Sequence, residues 1–289
     1  AELQLTQVDE TFRTTPVTFK LSVAANGCSV EREASVKVLG NLWVTEIGAD
    51  VVQCFRSDGS FIMQAVSSTY LRDPYSLYEL GPDRILVGNH SLKQSLIEVF
   101  DRRGVRQYGF EHEEENGTTI FSIYGADTIM KHPTNGEIWV GGPRGYLVVY
   151  SDDGTFQRKL HLGYSYDNLE PNSLVSLADG TTVLVPETTL DWYLFLLDPE
   201  GEVIGRFGNN SAELEIEVKV GAVANDSHLI FTGKSPGGDG YVTLLRNTGQ
   251  MVKRSERTED VIPRWGVMAF GDGFLVITDR SATNDNKLA

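Results

Sequence analysis

The residues able to do chemistry are few and scattered. The five histidines, His90, His112, His132, His161 and His228, never occur as His-x-His or His-Glu-x-x-His, spacings that bring two imidazoles onto one metal. No Gly-x-Ser-x-Gly elbow and no GxxxxGK[ST] phosphate loop occurs; GKSPGGDG at 233–240 has the composition of a phosphate loop but not its order. The remaining option is hard oxygen ligands. Glu46, Glu187 and Asp279 each follow an apolar β run, and Asn172 follows Pro171, a set that calcium could use if one rim gathered them. Single acids at strand ends are ordinarily solvated turn residues, and Asn after Pro is a common turn residue. No catalytic residue and no cofactor is therefore expected; calcium enters only under a hydrolase alternative.

A second group could bind rather than react. Arg72, Tyr75, Tyr124, Arg144, Tyr146, Trp192, Arg264 and Trp265, with Asn172, lie near turns rather than inside apolar runs. Tyr, Trp and Arg are the residues protein interfaces favour. Whether they meet depends on the elements that carry them.

Those elements repeat. Residues 51–64 read VVQCFRSDGSFIMQ, 96–108 LIEVFDRRGVRQY, 147–160 LVVYSDDGTFQRKL, 194–207 LFLLDPEGEVIGRF and 241–254 YVTLLRNTGQMVKR. Each is an apolar strand, a polar turn ending in Gly, and a second strand, which is a hairpin signature. The turn glycines Gly59, Gly104, Gly154, Gly201 and Gly249 are spaced 45, 50, 47 and 48 residues apart. Another strand pair stands before each later hairpin, as in PYSLYELGPDRILVG at 74–88 and PNSLVSLADGTTVLV at 171–185, and one more closes the chain at 265–277. Four strands, A to D, in about 47 residues make a propeller blade.

The N-terminal ELQLTQVDETFRT, residues 2–14, echoes the strand C and strand D pattern. The expectation is an all-β fold, one domain over 1–289: a six-bladed β-propeller of four antiparallel strands per blade. Residues 2–14 are expected to close its last blade beside strands A and B at 265–277. Residues 17–39 are long for one connection and leave room for an extra hairpin before ASVKVL.

Asn41-Leu42-Trp43-Val44-Thr45-Glu46 followed by Val51 to Phe61, the Phe207-Gly208 pair, and Asp279 with Asn284, Asn286 and Lys287 carry a resemblance to a known pattern. The chain resembles the NHL-repeat propellers found at the C-terminus of tripartite-motif proteins. That resemblance implies a non-enzymatic platform for protein or RNA partners, often at the end of a ubiquitin-ligase chain, with flanking domains or oligomerisation outside this stretch. Six-bladed propellers of the gluconolactonase type instead bind a divalent metal in the central channel. Asn172 and Glu187 are similar to that ligand set, while the Glu-Gly-Pro-x-Trp run of that family is absent here.

The D–A and B–C loops of a propeller share one rim, and the binding residues above fall there. The same rim carries acids at 111–115, Asp167, Glu170, Asp191 and Glu259. With a formal charge of −15, the chain disfavours phosphate, so a protein or peptide partner is expected ahead of single-stranded RNA. No apolar run is long enough to span a membrane as a helix. Two cysteines, Cys28 and Cys54, do not make a disulfide scaffold, and a cytoplasmic location is expected. Four Asn-x-Ser/Thr sequons, at Asn89, Asn116, Asn209 and Asn225, gain meaning only in a secreted protein.

Overall fold

A computed structural model describes residues 16–25, 28–37, 42–46, 49–55, 61–66, 69–81, 83–90, 96–110, 114–115, 118–119, 125–142, 146–162, 170–177, 179–187, 193–208, 217–225, 228–234, 240–246, 251–254, 263–270, 274–280 and 286–288. Among them every regular element of more than one residue is a strand.

A ribbon of β1 (Pro16–Ala25) and β2 (Cys28–Lys37) comes first, the extra hairpin for which residues 17–39 leave room. Next is a three-stranded sheet of β3 (Leu42–Glu46), β4 (Val51–Phe55) and β5 (Phe61–Val66). The second sheet is β6 (Pro74–Leu80), β7 (Arg84–Asn89), β8 (Ile97–Asp101) and β9 (Arg106–Phe110). A two-residue pair, β10 (Glu114–Glu115) and β11 (Thr118–Thr119), separates it from β12 (Thr128–Lys131), β13 (Ile138–Gly142), β14 (Tyr146–Tyr150) and β15 (Phe156–His161). Two further four-stranded sheets follow. One is β16 (Glu170–Ser176), β17 (Thr182–Glu187), β18 (Tyr193–Leu197) and β19 (Val203–Gly208). The other is β20 (Glu217–Asn225), β21 (His228–Lys234), β22 (Gly240–Arg246) and β23 (Met251–Arg254). The last sheet is β24 (Pro263–Phe270), β25 (Phe274–Arg280) and β26 (Asn286–Leu288). All pairings are antiparallel and sequential, so the repeat read from the hairpin glycines is the unit of the fold.

Two expectations need correcting. The strand beside β25 is Asn286–Leu288, pairing Thr278 with Leu288 and Arg280 with Asn286, where residues 2–14 were expected. A three-residue strand has no Gly turn and no apolar run to announce it. Residues 2–14 themselves lie outside the described residues. At the other end, Ala34–Lys37 of ASVKVL pair with β1 instead of serving as a first strand beside β3.

The middle strands explain why the apolar runs are nearly continuous. Sheets stack face to face, so both faces of β7, β13, β14 and β17 are covered. In β7, Ile85 and Val87 pack with Trp43, Val52, Cys54 and Phe100, whereas Leu86 joins Ile129, Ile138, Val140, Val148 and Tyr150. In β13 and β14, Trp139, Leu147 and Val149 turn the other way, onto Leu174, Leu184 and Phe195. In β17, Val183 and Val185 meet Leu229 and Phe231. A strand buried on both faces has no place for the polar half of an alternating pattern. Burying each such aliphatic chain contributes roughly 1.5–3 kcal/mol.

The hairpin turns are built alike. Asp101, Ser151 and Asp198 each accept a hydrogen bond from the glycine three residues on, at 2.9–3.0 Å. Gly104, Gly154 and Gly201 hold φ near +80°, +87° and +92°, a region L side chains avoid. One oxygen of Asp101 caps the amides of Arg103 and Val105, both at 2.9 Å, and Asp198 repeats this with Glu200 and Glu202. Gly59 and Gly249 lie outside the described residues.

Side chains tie neighbouring sheets. His132 is fully buried, stacks on Trp139 at 4.8 Å, and reaches the Gly180 carbonyl from Nε2 at 2.9 Å. A carbonyl only accepts, so Nε2 carries the proton. Asp152 accepts from Lys131 Nζ at 2.8 Å and from Arg84 Nη2, across the sheet boundary, at 2.9 Å. These cations, Lys131 first, hold its carboxyl below the ordinary range. A depressed carboxyl stabilises the folded state above its unfolded pKa of about 3.9 and loses that contribution as pH falls toward the folded value. Because Asp152 is 44% exposed, solvent screens the effect. Asp152→Asn is expected to leave the melting temperature near-neutral at pH 7 and to flatten its fall below pH ~4. An acid limb identical to wild type would show that Asp152 does not drive it.

Candidate rim site

Four of the expected site residues, Tyr75, Asn172, Arg264 and Trp265, lie near the start of the first strand of three sheets. In all three that beginning is irregular, as it also is in β20. The β6–β7 register slips between Pro74 and Ser76, leaving Tyr75 as the extra residue. The β16–β17 register slips between Pro171 and Ser173, leaving Asn172. The β24–β25 register slips between Pro263 and Gly266, leaving Arg264 and Trp265. Proline has no N–H to give the ladder, so pairing is interrupted there and the following residue bulges. Four of the expected site residues thus share one backbone device.

Two more sheets supply residues that sequence reasoning missed. Lys219 is the extra residue between Val218 and Val220 of β20. Asp127 stands just before Thr128, the first paired residue of β12, and its N–H donates to the Gly141 carbonyl at 3.0 Å. The signal was present: Tyr75, Asp127 and Asn172 each precede a Ser or Thr that opens the regular strand. Those hydroxyls work between sheets, Ser76 Oγ donating to the Ala126 carbonyl at 2.6 Å and Thr128 Oγ1 accepting from the Leu174 amide at 3.2 Å.

The most densely hydrogen-bonded of these regions surrounds Asn89, the last residue of β7. Asn89 is 2% exposed; its Oδ1 accepts from the Arg72 amide at 3.1 Å, and its Nδ2 donates to the Tyr70 carbonyl at 3.2 Å. Its backbone carbonyl accepts from Ala126 at 2.9 Å. The sequon at Asn89 is therefore part of the scaffold, not an exposed carrier for a glycan. Asp73 donates its amide to Asp50 Oδ1 at 2.6 Å and accepts from the His90 amide at 3.1 Å. Asp50 and Asp73 hold φ of +54° and +49°, left-handed values uncommon outside glycine. Such conformations persist where surrounding structure imposes them.

On this frame Arg72 is exposed, and Tyr75 is half-buried against His90 with ring centroids 5.6 Å apart. His90 Nε2 lies 3.9 Å from Asp127 Oδ1, an ion pair when the imidazole is protonated. Arg72 and Tyr75 are thus brought together with His90, Asp50, Asp73 and Asp127. Farther along, Tyr146 opens β14 with Lys159 Nζ 3.6 Å above its ring, and Asn172 follows Pro171, which crowds Gly141 of β13. Tyr124, Arg144 and Trp192 lie outside the described residues, and Arg264 and Trp265 are placed by backbone register alone.

The metal candidates Glu46, Asn172, Glu187 and Asp279 are carried by three sheets. Glu46 Oε2 accepts from Gln53 Nε2 at 2.7 Å across β3 and β4. Glu187 ends β17 and Asp279 lies in β25, in different sheets. Among the described residues no three His, Cys, Asp or Glu side chains converge on a point. Cys54 is a fully buried thiol within the core.

No family model matches the chain, and no curated protein matches it. Among solved structures it is similar to the WD40 domain of Neurospora crassa Pan2, with a TM-score of 0.50 and 11% identity, over 75% of this chain and 60% of that one. The chain therefore spans 60% of the length of that structure. At that identity the likeness speaks for fold, and it agrees with the sheets described above: the chain has a propeller-like all-β fold.

Proposed function

We propose that the chain is a non-enzymatic protein-interaction module, a single six-bladed ring over residues 1–289. In this reading an extended peptide lies across the first-strand bulges, with Tyr75, Asp127, Asn172 and Trp265 as contacts. Ring closure falls between β24–β26 and β3–β5, with residues 2–14 completing the last sheet. The observation that carries the reading is the repeated irregularity at Tyr75, Asn172, Lys219 and Arg264–Trp265. Bulges cost ladder hydrogen bonds, and proteins keep them at sheet ends where a side chain must be re-aimed. Four sheets with such a bulge near the start of the first strand give a row of differing chemistries: aromatic, amide, cationic. Such a row suits a side-chain sequence better than a single small molecule.

The test begins with a random-peptide display library selected on the wild-type chain. Tyr75→Ala combined with Asn172→Ala should weaken the selected peptides about tenfold or more, the usual effect of removing an interface anchor. The melting temperature should move by only a few degrees, since both positions are half-buried. Undiminished binding by the double variant would reject the rim as the contact surface.

A further inference from the structure

The sheets do not all start at the same place in the repeat. The hairpin glycines Gly104, Gly154 and Gly201 fall between third and fourth strands, β8–β9, β14–β15 and β18–β19. Gly59 falls between β4 and β5, the second and third strands of their sheet. β3 therefore stands where β7, β13 and β17 stand in theirs, and among the described residues the strand that should precede it is missing. It pairs with β4 from Leu42 to Glu46 without a bulge, and no described strand lies on its other side.

A buried donor marks the same gap. Trp43 pairs with Cys54, five residues before the turn glycine, as Trp139 pairs with Val149. The two indoles thus hold equivalent positions. Trp139 Nε1 donates to Glu137 Oε2 at 3.2 Å, and its ring stacks on His132, which follows the first strand β12. Trp43 is 7% exposed, and among the described residues its Nε1 meets no acceptor. A buried N–H without an acceptor is costly, and an added acceptor recovers that cost. The backbone supplies a register. The His132 amide donates to the Glu137 carbonyl, so the amides of Met130 and Thr128 also face β13, and those of Lys131 and Ile129 face away. By the same alternation Trp43 and Thr45 turn their N–H and C=O groups to the open side.

We infer that the open side of β3 is a strand-addition site for an extended segment of a partner protein, antiparallel to β3, with a glutamine opposite Trp43. Main-chain hydrogen bonds supply affinity in such pairing, and alternate side chains supply specificity. The position opposite Trp43 corresponds to Tyr78, Met130 and Val175 in other sheets, each packed against a core cluster. The occupant there needs an apolar stem and a tip that accepts from the indole. Glutamine has both, whereas glutamate would bury a charge. The inference rests on the ring closure proposed above. With residues 2–14 in the last sheet and 16–37 in the β1–β2 ribbon, only 38–41 stand before β3, too few to turn back along it.

The probe is a fluorescein-labelled copy of residues 127–133, Asp-Thr-Ile-Met-Lys-His-Pro, the first strand of the sheet that carries Trp139, together with its Met130→Gln form. Fluorescence polarisation with the full chain should give saturable binding, about tenfold tighter for the glutamine form. Against Trp43→Phe, which removes the N–H and keeps a ring in the core, the two peptides should bind alike; a circular dichroism melt confirms that this variant folds. N-methylation of the peptide amide at position 130 should abolish binding to the wild-type chain, and at position 131 should leave it unchanged. A benzophenone on the peptide should place its photo-adducts on β3 or β4. No saturable binding, a glutamine advantage that persists in Trp43→Phe, or equal effects of the two N-methyl groups would each overturn the proposal alone. Adducts on β25 or β26 would overturn it together with the closure, since the last sheet would then be the open one.

Discussion

Gly125→Ala is expected to cost about 3 kcal/mol or more, one of the two largest losses among single changes considered for this chain. Two effects add. Gly125 holds φ of +87°, where alanine is strained. A Cβ there would stand 2.2 Å from His90 Cα and 2.4 Å from the Asn89 carbonyl oxygen, both backbone atoms that cannot swing aside. Segments of two sheets cross at this point, and the Ala126 amide bonds the same carbonyl. Moving it would disturb Asn89, and through Asn89 the Arg72 and Tyr70 backbone at the rim. Gly81→Ala separates the two effects. Gly81 has φ of +70° but nothing within 4 Å, so its cost should be only the backbone term, about 1 kcal/mol. Urea denaturation of the two variants checks this; equal losses would show that close approach at Gly125 carries no weight.

Arg106→Leu should cost about 3–5 kcal/mol at neutral pH, for an electrostatic reason. Glu98 in β8 has a fully buried side chain, and its Oε2 accepts from Arg106 Nε at 2.7 Å. Arg106 in turn lies under the Tyr70 ring, 4.8 Å from its centroid. Removing the cation leaves a carboxylate in an apolar sheet. In the variant that carboxylate favours its protonated form more in the folded than in the unfolded chain. The loss should therefore be greatest at high pH and shrink as pH falls toward the unfolded value of about 4.3. Replacing Glu98 with Leu in the same background should recover most of the loss, since a buried pair exchanged for apolar side chains is often neutral. A single change costing under 1 kcal/mol, or a double variant no better than the single, would contradict this account.

The hairpins were legible because glycine at the fourth turn position and an apolar run before it are local requirements of a tight turn. Continuous runs such as RILVG and EIWVGG read correctly as strands because both faces are covered. The first-strand bulges were not legible. Pro74, Pro171 and Pro263 are visible in the sequence, but that each displaces the next residue out of the ladder depends on the partner strand. Asp127 and Lys219 were passed over for the same reason, since an acid before Thr and a lysine between valines look like an ordinary turn and an ordinary strand. Arg72 and Tyr75 were singled out in the sequence, and both stand close to Asn89. Their shared support is Asn89, which reads as a sequon and is instead a buried bracket. Glu98 was invisible as a buried charge because it sits in an apolar run whose partner, Arg106, lies across a turn.

The ties between sheets bear on how the chain reaches this state. Ser76 to Ala126, Thr128 to Leu174 and His132 to Gly180 span 50, 46 and 48 residues, about one repeat each. The Arg84–Asp152 bridge spans 68. These contacts therefore join a sheet to its immediate successor. Their sequence separation is fixed by the repeat and does not grow with the chain, so relative contact order falls as sheets are added. An all-β protein of this length would ordinarily fold slowly, because distant strands must find one another. Here each sheet can form on the one before it, and folding can spread from any internal pair in the nearest-neighbour manner of repeat arrays.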